Sequence, residues 1–128
     1  MTKFTRFFTQ SGPRAIGPYC TASVTDGAIY CSGVIPVDPS TGKLVEGGIE
    51  AQTARVLENL RIIAAELGVS LFDALKTTVF LQNMSDFAAV NALYKDAFAP
   101  DYPARSCVAV AALPMGALVE IEVIFAYN

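Results

Sequence analysis

A single long amphipathic helix, flanked by segments typical of β-strands, is the feature that most constrains how this chain can fold. Residues 49–67 carry their apolar side chains along one stripe of such a helix: Ile49, Val56, Leu57, Leu60, Ile63, Ala64 and Leu67. Gly68 follows at once, and glycine is common just past the end of a helix. The stripe must be buried against other elements, so this segment predicts a layered fold.

Five other segments have the composition of strands, namely residues 21–24, 28–35, 77–82, 106–112 and 119–127. Asp26-Gly27 separates the first two and predicts a hairpin. Residues 106–112 are almost wholly apolar, which predicts a strand buried on both faces. The last segment alternates, with Val119, Ile121, Val123 and Phe125 on one face and Glu120, Glu122 and Ile124 on the other.

A second helix is predicted after residue 85. Ser85 is a candidate cap, Pro100 ends the segment, and the apolar residues between them have helical spacing: Phe87, Val90, Tyr94, Ala97 and Phe98. Turn-forming residues at 36–42 predict a loop before the first helix. We therefore expect one α+β or α/β domain over residues 1–128, with one sheet and two helices.

Apolar residues are more abundant than a small monomer can easily bury. They make up 53% of the 128 residues, whereas charged residues make up 16%, against about 25% in typical globular domains. Obligate oligomers bury surfaces that resemble a protein core. The composition therefore predicts a homo-oligomer.

The residues that are missing exclude several classes of function. The chain has no His, which excludes Ser-His-Asp and Cys-His catalysis and His-ligated metals. A net charge of −3 argues against a protein that binds nucleic-acid phosphates. Three widely spaced Cys residues with no signal-peptide pattern predict reduced thiols and a cytoplasmic protein, and no segment is long and apolar enough to span a membrane.

Arg105 is the most informative single residue. It stands at the start of an apolar strand, and residues 106–119 that follow it carry no charge. A guanidinium in such a segment is costly to bury without a partner. Its planar fork suits a carboxylate. Two interpretations follow: Arg105 anchors a small carboxylate ligand, or it forms a structural ion pair with a buried Asp or Glu.

Glu120 and Glu122 share one face of the last strand. Two such carboxylates either divide acid and base roles or form one solvated face. Arg105 and Glu120 lie at opposite ends of strands joined at residues 113–117, about five residues or roughly 16 Å apart if both strands are straight. They can therefore share a ligand only across a subunit boundary, or not at all.

Four further positions are candidates for the site, each with a purely structural alternative. Cys107 points to the same strand face as Arg105, either as an activated thiol or as a small buried apolar residue. Tyr19 follows a rigid Gly-Pro turn, either at a site or as a packed aromatic residue. Ser32-Gly33 places a glycine inside a predicted strand. Such a glycine marks either a point where a ligand or another backbone comes close to the strand, or a plain bulge. Asn91 lies among apolar neighbours and would by default be a surface residue.

Together these motifs resemble the RidA/YjgF family along nearly the whole chain. The motifs that carry the resemblance are Ile16-Gly17-Pro18-Tyr19, Ser32-Gly33-x-x-Pro36, Gln52 with Leu57-x-Asn59-Leu60, Lys76-Thr77-Thr78-Val79-Phe80, Phe87-x-x-Val90-Asn91, Pro103-Ala104-Arg105-Ser106-Cys107 and Val119-Glu120-Ile121-Glu122. Single motifs are weak evidence, but the ordered set is specific.

The resemblance implies a chorismate-mutase-like α+β fold, with a mixed sheet of about six strands on two helices, and a homotrimer with clefts between subunits. It implies a cofactor-free, metal-free deaminase that hydrolyses 2-aminoacrylate and 2-iminobutanoate to 2-keto acids and ammonia. By resemblance, Arg105 holds the substrate carboxylate and Glu120 positions or activates water. The other matching residues would line the cleft, with Tyr19 counted among the catalytic residues: Tyr19, Ser32, Gly33, Phe87, Asn91 and Cys107.

Imine chemistry agrees with the composition, because an imine is electrophilic already and needs a held substrate and an oriented water rather than a strong nucleophile. Two alternatives remain. One is a regulatory trimer that binds small carboxylates at Arg105 without turnover. The other is an endoribonuclease or translation inhibitor, which the acidic charge and the absence of His disfavour.

Overall fold

Six strands form one mixed sheet with two helices on one of its faces, in a computed structural model that describes residues 3–128. The strands of the sheet are β1 (Phe4–Phe7), β2 (Ala22–Thr25), β3 (Gly27–Cys31), β6 (Ala74–Leu81), β7 (Ala104–Ala109) and β8 (Val119–Tyr127). A separate two-stranded ribbon consists of β4 (Val37–Asp38) and β5 (Lys43–Leu44). The helices are α1 (Gly48–Leu67) and α2 (Phe87–Phe98).

The sheet order is β1-β2-β3-β8-β6-β7, in which β6 and β7 are parallel and all other neighbours are antiparallel. This is the α+β arrangement that the family resemblance implied, with two helices packed on a mixed six-stranded sheet. Strand β8 lies inside the sheet and alternates as predicted. Its buried residues Val119, Ile121, Val123 and Phe125 join the core beneath the helices.

Helix α1 buries its predicted apolar stripe and ends as the sequence indicates. Val56, Leu60 and Ile63 are almost fully buried. Gly68 adopts a left-handed conformation (φ 79°), and its N–H donates to the carbonyls of Ala64 and Ala65. This is the conformation for which glycine carries no steric cost.

Two polar residues of α1 also point inward and hold the loops around the sheet. Asn59 is fully buried, and its Nδ2 donates to the carbonyl of Val37 at 2.8 Å and to that of Ile35 at 3.4 Å. The Oε1 of Gln52 accepts a hydrogen bond of 2.8 Å from the N–H of Leu118, just before β8. Backbone groups without a strand partner are satisfied in this way, which buried polar groups require.

The predicted hairpin is confirmed, but its second strand is shorter than expected. Thr25 pairs with Ala28 across the Asp26-Gly27 turn. β3 ends at Cys31 rather than at residue 35, and beyond it only Val34 makes a bridge, to Ile121 of β8. The chain therefore leaves the hydrogen-bonded sheet next to Gly33, where the side chain of Glu120 lies against the backbone.

The prediction that residues 106–112 form a strand buried on both faces is wrong. β7 spans Ala104–Ala109 and is an edge strand, in which Ala104, Ser106 and Val108 are exposed. Within residues 3–128 nothing covers its outer face, although its sequence is as apolar as that of an interior strand.

Other differences concern local capping and short strands. Ser85 does not cap α2, because residues Met84–Asp86 form a 3-10 turn and the N-cap residue Asp86 makes no side-chain cap bond. β6 begins at Ala74, three residues before the predicted start. Neither β1 nor the ribbon β4–β5 was predicted, since strands of two to four residues are too short for a periodic pattern. No helix of residues 3–128 is both long and apolar enough to cross a membrane.

We expect Asn59→Ala to lower the free energy of unfolding by about 2 kcal/mol, because the buried carbonyl of Val37 would lose its side-chain donor and that of Ile35 would keep only the N–H of Val37. Urea unfolding followed by circular dichroism measures this change. Glu58→Gln is the matched control on the exposed side of α1, where the ion pair with Arg61 spans 3.6 Å in solvent and contributes little. Equal effects of the two substitutions would contradict the anchoring role of Asn59.

Candidate active site

The candidate site residues form two clusters on opposite faces of the sheet. Arg105, Asn91, Phe87 and Cys107 lie together on the face covered by the helices, in what we call the Arg105 pocket. Tyr19, Ser32, Gly33 and Glu120 line a cleft on the open face, the Glu120 pocket. The structure thus assembles all eight candidates, but in two places.

In the Arg105 pocket, α2 orients the guanidinium of Arg105. Nη1 donates a hydrogen bond of 2.7 Å to the Oδ1 of Asn91. The guanidinium carbon lies 4.8 Å from the ring centre of Tyr94 and 5.5 Å from that of Phe87, distances at which a cation is attracted to an aromatic face. Phe87, Asn91 and Tyr94 can all reach it because they recur at positions i, i+4 and i+7, on one face of α2.

No carboxylate of residues 3–128 lies within salt-bridge distance of Arg105. The alternative of a structural ion pair with a buried Asp or Glu is therefore wrong within the described chain. The surface-residue interpretation of Asn91 is wrong too, since Asn91 is partly buried and accepts the bond from Arg105. The guanidinium has five N–H donors, and the bond to Asn91 uses one of them.

Two buried hydroxyl groups support this arrangement from below. A hydrogen bond of 2.6 Å joins the hydroxyls of Tyr94 and Thr77, and both residues are buried. Burial raises the pKa of Tyr94, against the opposing effects of the bond to Thr77 and of the Arg105 charge. The neutral phenol therefore stays locked to β6 and presents its ring to Arg105.

Cys107 behaves as a packing residue. Its partly buried side chain contacts the core, and burial raises its pKa although the nearby Arg105 charge opposes that shift. The thiol form is therefore favoured at neutral pH, whereas a nucleophilic cysteine needs a lowered pKa. This agrees with the interpretation of Cys107 as a small apolar residue beside Arg105.

In the Glu120 pocket, Gly33 allows the carboxylate of Glu120 to lie directly on the backbone. A Cβ at position 33 would overlap with Oε2 of Glu120 and would come within 2.9 Å of its carboxyl carbon. The sequence predicted that a ligand or another backbone comes close to Gly33, or that Gly33 forms a plain bulge, whereas the group that approaches is a side chain of the neighbouring strand. Any larger residue would displace Glu120.

The electrostatic setting of Glu120 favours its protonated form more than usual. Burial raises the pKa of Glu120, and the like charge of Glu122 on the same strand face raises it further. A carboxylate with a raised pKa is a stronger base.

Tyr19 is held by the turn that precedes it. Its N–H donates to the carbonyl of Gly17 at 2.9 Å, and its hydroxyl accepts a bond of 3.3 Å from the N–H of Ile16. The ring, 45% exposed, lies over Gly17 rather than in the core. The packed-aromatic alternative is wrong for this chain, and the phenol forms one wall of the Glu120 pocket.

Ser32 has a structural bond as well as a place in the pocket. Its hydroxyl donates to the carbonyl of Cys20 at 2.7 Å, and its N–H donates to the carbonyl of Thr21 at 2.9 Å. Both bonds fix the segment that carries Tyr19 next to the segment that carries Gly33. Ser32 therefore shapes the cleft.

Strand register shows why one chain cannot bring Arg105 to Glu120. Thr77 of β6 pairs with Arg105, and Phe80 of β6 pairs with Glu120. An offset of three residues on a pleated strand places the two side chains on opposite faces. Because β6 lies between β7 and β8, Arg105 and Glu120 are about 14 Å apart within one sheet. Their offset along the strands is three residues, smaller than the five residues estimated from the sequence.

The sequence did not identify several residues that line the two pockets. Tyr94 was named only among the apolar residues of the predicted second helix, although its i+3 spacing from Asn91 places it on the same helix face. Lys95 and Tyr102 complete the rim of the Arg105 pocket, and Ile16, Ile35 and Pro114 line the Glu120 pocket. Only the tertiary structure brings these last three together, because they come from distant parts of the chain.

Comparison with known proteins identifies the family. The family model described as Endoribonuclease L-PSP matches residues 9–127. A human protein named 2-iminobutanoate/2-iminopropanoate deaminase is 43% identical over 116 residues, which are 91% of this chain and 85% of that protein.

Two solved structures share the whole fold. RidA from an Antarctic Psychrobacter is 40% identical, with a TM-score of 0.92 over 96% of this chain and 99% of that chain. TdcF from E. coli with bound serine is 38% identical, with a TM-score of 0.89 over 97% of this chain and 99% of that one. The chain therefore belongs to the Endoribonuclease L-PSP family, which is the RidA/YjgF family that its sequence motifs resemble.

Proposed function

We propose that this protein is an enamine/imine deaminase, which hydrolyses small 2-imino acids such as 2-iminopropanoate and 2-iminobutanoate to 2-keto acids and ammonia. The observation that carries the proposal is the Arg105 guanidinium, oriented by Asn91 and facing a pocket without a carboxylate partner in residues 3–128. A substrate carboxylate supplies that partner in a bidentate pair. The name of the human relative and the serine bound to TdcF agree with a small amino-acid-like substrate.

The complete site requires two chains. Arg105 and Glu120 face opposite sides of one sheet, so the Arg105 pocket of one chain must meet the Glu120 pocket of another. The uncovered, apolar outer face of β7 and exposed residues such as Phe72 and Leu75 supply surface for such contacts. A homotrimer closes this head-to-tail contact into a ring with three identical sites.

The chemistry then needs no cofactor or metal. Arg105 holds the carboxylate, and a water lies between the imine carbon and the carboxylate of Glu120. Glu120 accepts a proton as the water oxygen adds to the carbon of the N-protonated imine, which gives a neutral carbinolamine. It then returns that proton to the nitrogen, and ammonia leaves as the C–N bond breaks. The carbinolamine hydroxyl passes its own proton back to Glu120 and becomes the carbonyl of the 2-keto acid.

Tyr19 completes the arrangement on the Glu120 side. Its hydroxyl accepts a bond from the N–H of Ile16, so its own proton is available to the substrate or to the attacking water. Gly33 keeps Glu120 close to the backbone and Ser32 holds the walls together. Phe87 and Cys107 shape the carboxylate side around Arg105.

Arg105→Ala is expected to lower kcat/KM by about a hundredfold or more. A loss of this size is typical when one partner of a charged pair is removed from a site that excludes water. A coupled assay measures this: an amino-acid oxidase generates the imine, and semicarbazide competes with the enzyme for it. Wild type should suppress the semicarbazone signal, and Arg105→Ala should restore it. Arg61→Ala, on the exposed face of α1, is the matched control.

An absence of turnover by wild type with several imines would overturn the deaminase proposal. If the protein then still bound pyruvate or 2-oxobutanoate in an Arg105-dependent way, it would be a carboxylate-binding protein without this activity. Arg105→Lys keeps the charge but not the fork, so it should recover only part of the lost rate.

Two inactive variants should restore activity when they assemble together. In mixed trimers of Arg105→Ala and Glu120→Gln chains, about one third of the interfaces combine a native Arg105 pocket with a native Glu120 pocket, whichever chain is in excess. Co-expression with two tags and purification through both isolates these mixtures. Activity no greater than that of either variant alone would show that the two pockets do not share a site.

Glu122→Gln should move the acidic limb of the pH–rate profile to lower pH. The rate requires deprotonated Glu120, so it falls as pH falls through the raised pKa of Glu120. The Glu122 charge contributes to that rise, and removing it lowers the pKa. Glu50→Gln, at the exposed start of α1, should leave the limb in place, and an unchanged limb in Glu122→Gln would contradict the assignment of Glu120 as the base.

A further inference from the structure

A second, apolar cavity adjoins the Glu120 pocket. It has a volume of about 130 Å³ and lies between the segment 13–16, the segment 32–35 and Ile63 of α1. We call it the side pocket. Five residues line both it and the Glu120 pocket, so the two are continuous: Ile16, Tyr19, Ser32, Gly33 and Ile35.

Two hydroxyl groups along the side pocket are already paired within the protein, and Arg14, which also lines it, is exposed to solvent. The hydroxyl of Ser32 donates to the carbonyl of Cys20, and that of Thr21 accepts a bond of 3.0 Å from the N–H of Thr9. Val34, Val37 and Ile63 are buried and apolar. A cavity with such walls offers little to hold water and favours an apolar occupant.

The size of the side pocket excludes the smallest substrates as its best occupants. An engineered protein cavity of about 150 Å³ holds a benzene molecule, so about 130 Å³ accommodates a side chain of four or more carbons. A methyl group would leave most of the side pocket empty. A substrate with so small a side chain would therefore gain little free energy from apolar burial or from dispersion contacts with the walls.

Gly33 lies at the junction of the two pockets, with the Glu120 carboxylate against its backbone. An imine carbon placed over Glu120, with its carboxylate toward Arg105 of a second chain, has one remaining substituent. Resting on the proposed function, we infer that this substituent enters the side pocket. The preferred substrates are then 2-imino acids with apolar side chains of four or more carbons, such as the imine of leucine, rather than 2-iminopropanoate.

The test compares the imines of leucine and alanine, each generated by an amino-acid oxidase. At about fourfold per buried methylene, three additional carbons favour the leucine imine in kcat/KM by roughly tenfold to sixtyfold. Ala15→Leu fills the side pocket from its partly exposed wall and should abolish this preference while 2-iminopropanoate is still hydrolysed. Val37→Ile, which adds one methylene from another wall, should reduce the preference to a lesser extent.

Ala54→Leu adds the same atoms on the exposed face of α1 and should leave the preference unchanged. Equal kcat/KM for the two imines in wild type, or a preference that Ala15→Leu does not alter in a folded protein, would overturn the inference.

Calorimetry with the unreactive products separates this inference from the deaminase proposal. Wild type should bind 4-methyl-2-oxopentanoate more tightly than pyruvate, and Ala15→Leu should remove the difference. If no imine is turned over but this binding difference is found, the deaminase proposal is wrong and the side pocket assignment holds. If imines are turned over without any discrimination in rate or binding, the side pocket assignment alone is wrong.

Discussion

The pleat of β6 places Arg105 and Glu120 on opposite faces of the sheet. Its Thr77 faces the helices and pairs with Arg105, whereas its Phe80 faces the open side and pairs with Glu120. Because successive side chains alternate between faces, no small movement within one chain can bring these two charged groups together. The two-chain site that we propose rests on this strand arrangement, and the apolar, uncovered face of β7 offers surface for it.

Each half of the site is held rigidly by interactions away from the reacting groups. Arg105 is oriented by Asn91 and by the ring of Tyr94, which Thr77 locks to the sheet. On the other side, Asn59 holds the backbone at Ile35, and Gly33 lets Glu120 lie against the chain. Preorganised groups of this kind suit a reaction in which placement of an electrophilic substrate and a water provides most of the catalysis.

Much of this could be predicted from the sequence where a strong local pattern exists. The stripe of α1, the alternation of β8 and the Asp26-Gly27 turn each reflect burial or backbone geometry within one element. Short strands such as β1, and the 3-10 turn that displaced Ser85 as a helix cap, have no such pattern. The apolar sequence of β7 predicted a strand buried on both faces, whereas β7 is an edge strand with one face exposed in residues 3–128, because sequence composition does not show which neighbours a strand has.

By itself the sequence determined which residues are candidates for the proposed chemistry, because a lone Arg105 in an apolar strand and an acidic pair at Glu120 and Glu122 stand out by residue type. Only the tertiary structure decided that Asn91, rather than a carboxylate, accepts from Arg105 within residues 3–128. It also decided that Glu120 faces away from Arg105 and beside an apolar cavity. The physical reason is that residue type decides which chemistry a side chain can perform. Which face of the sheet it occupies depends instead on strand register and on contacts between segments that are distant in the chain.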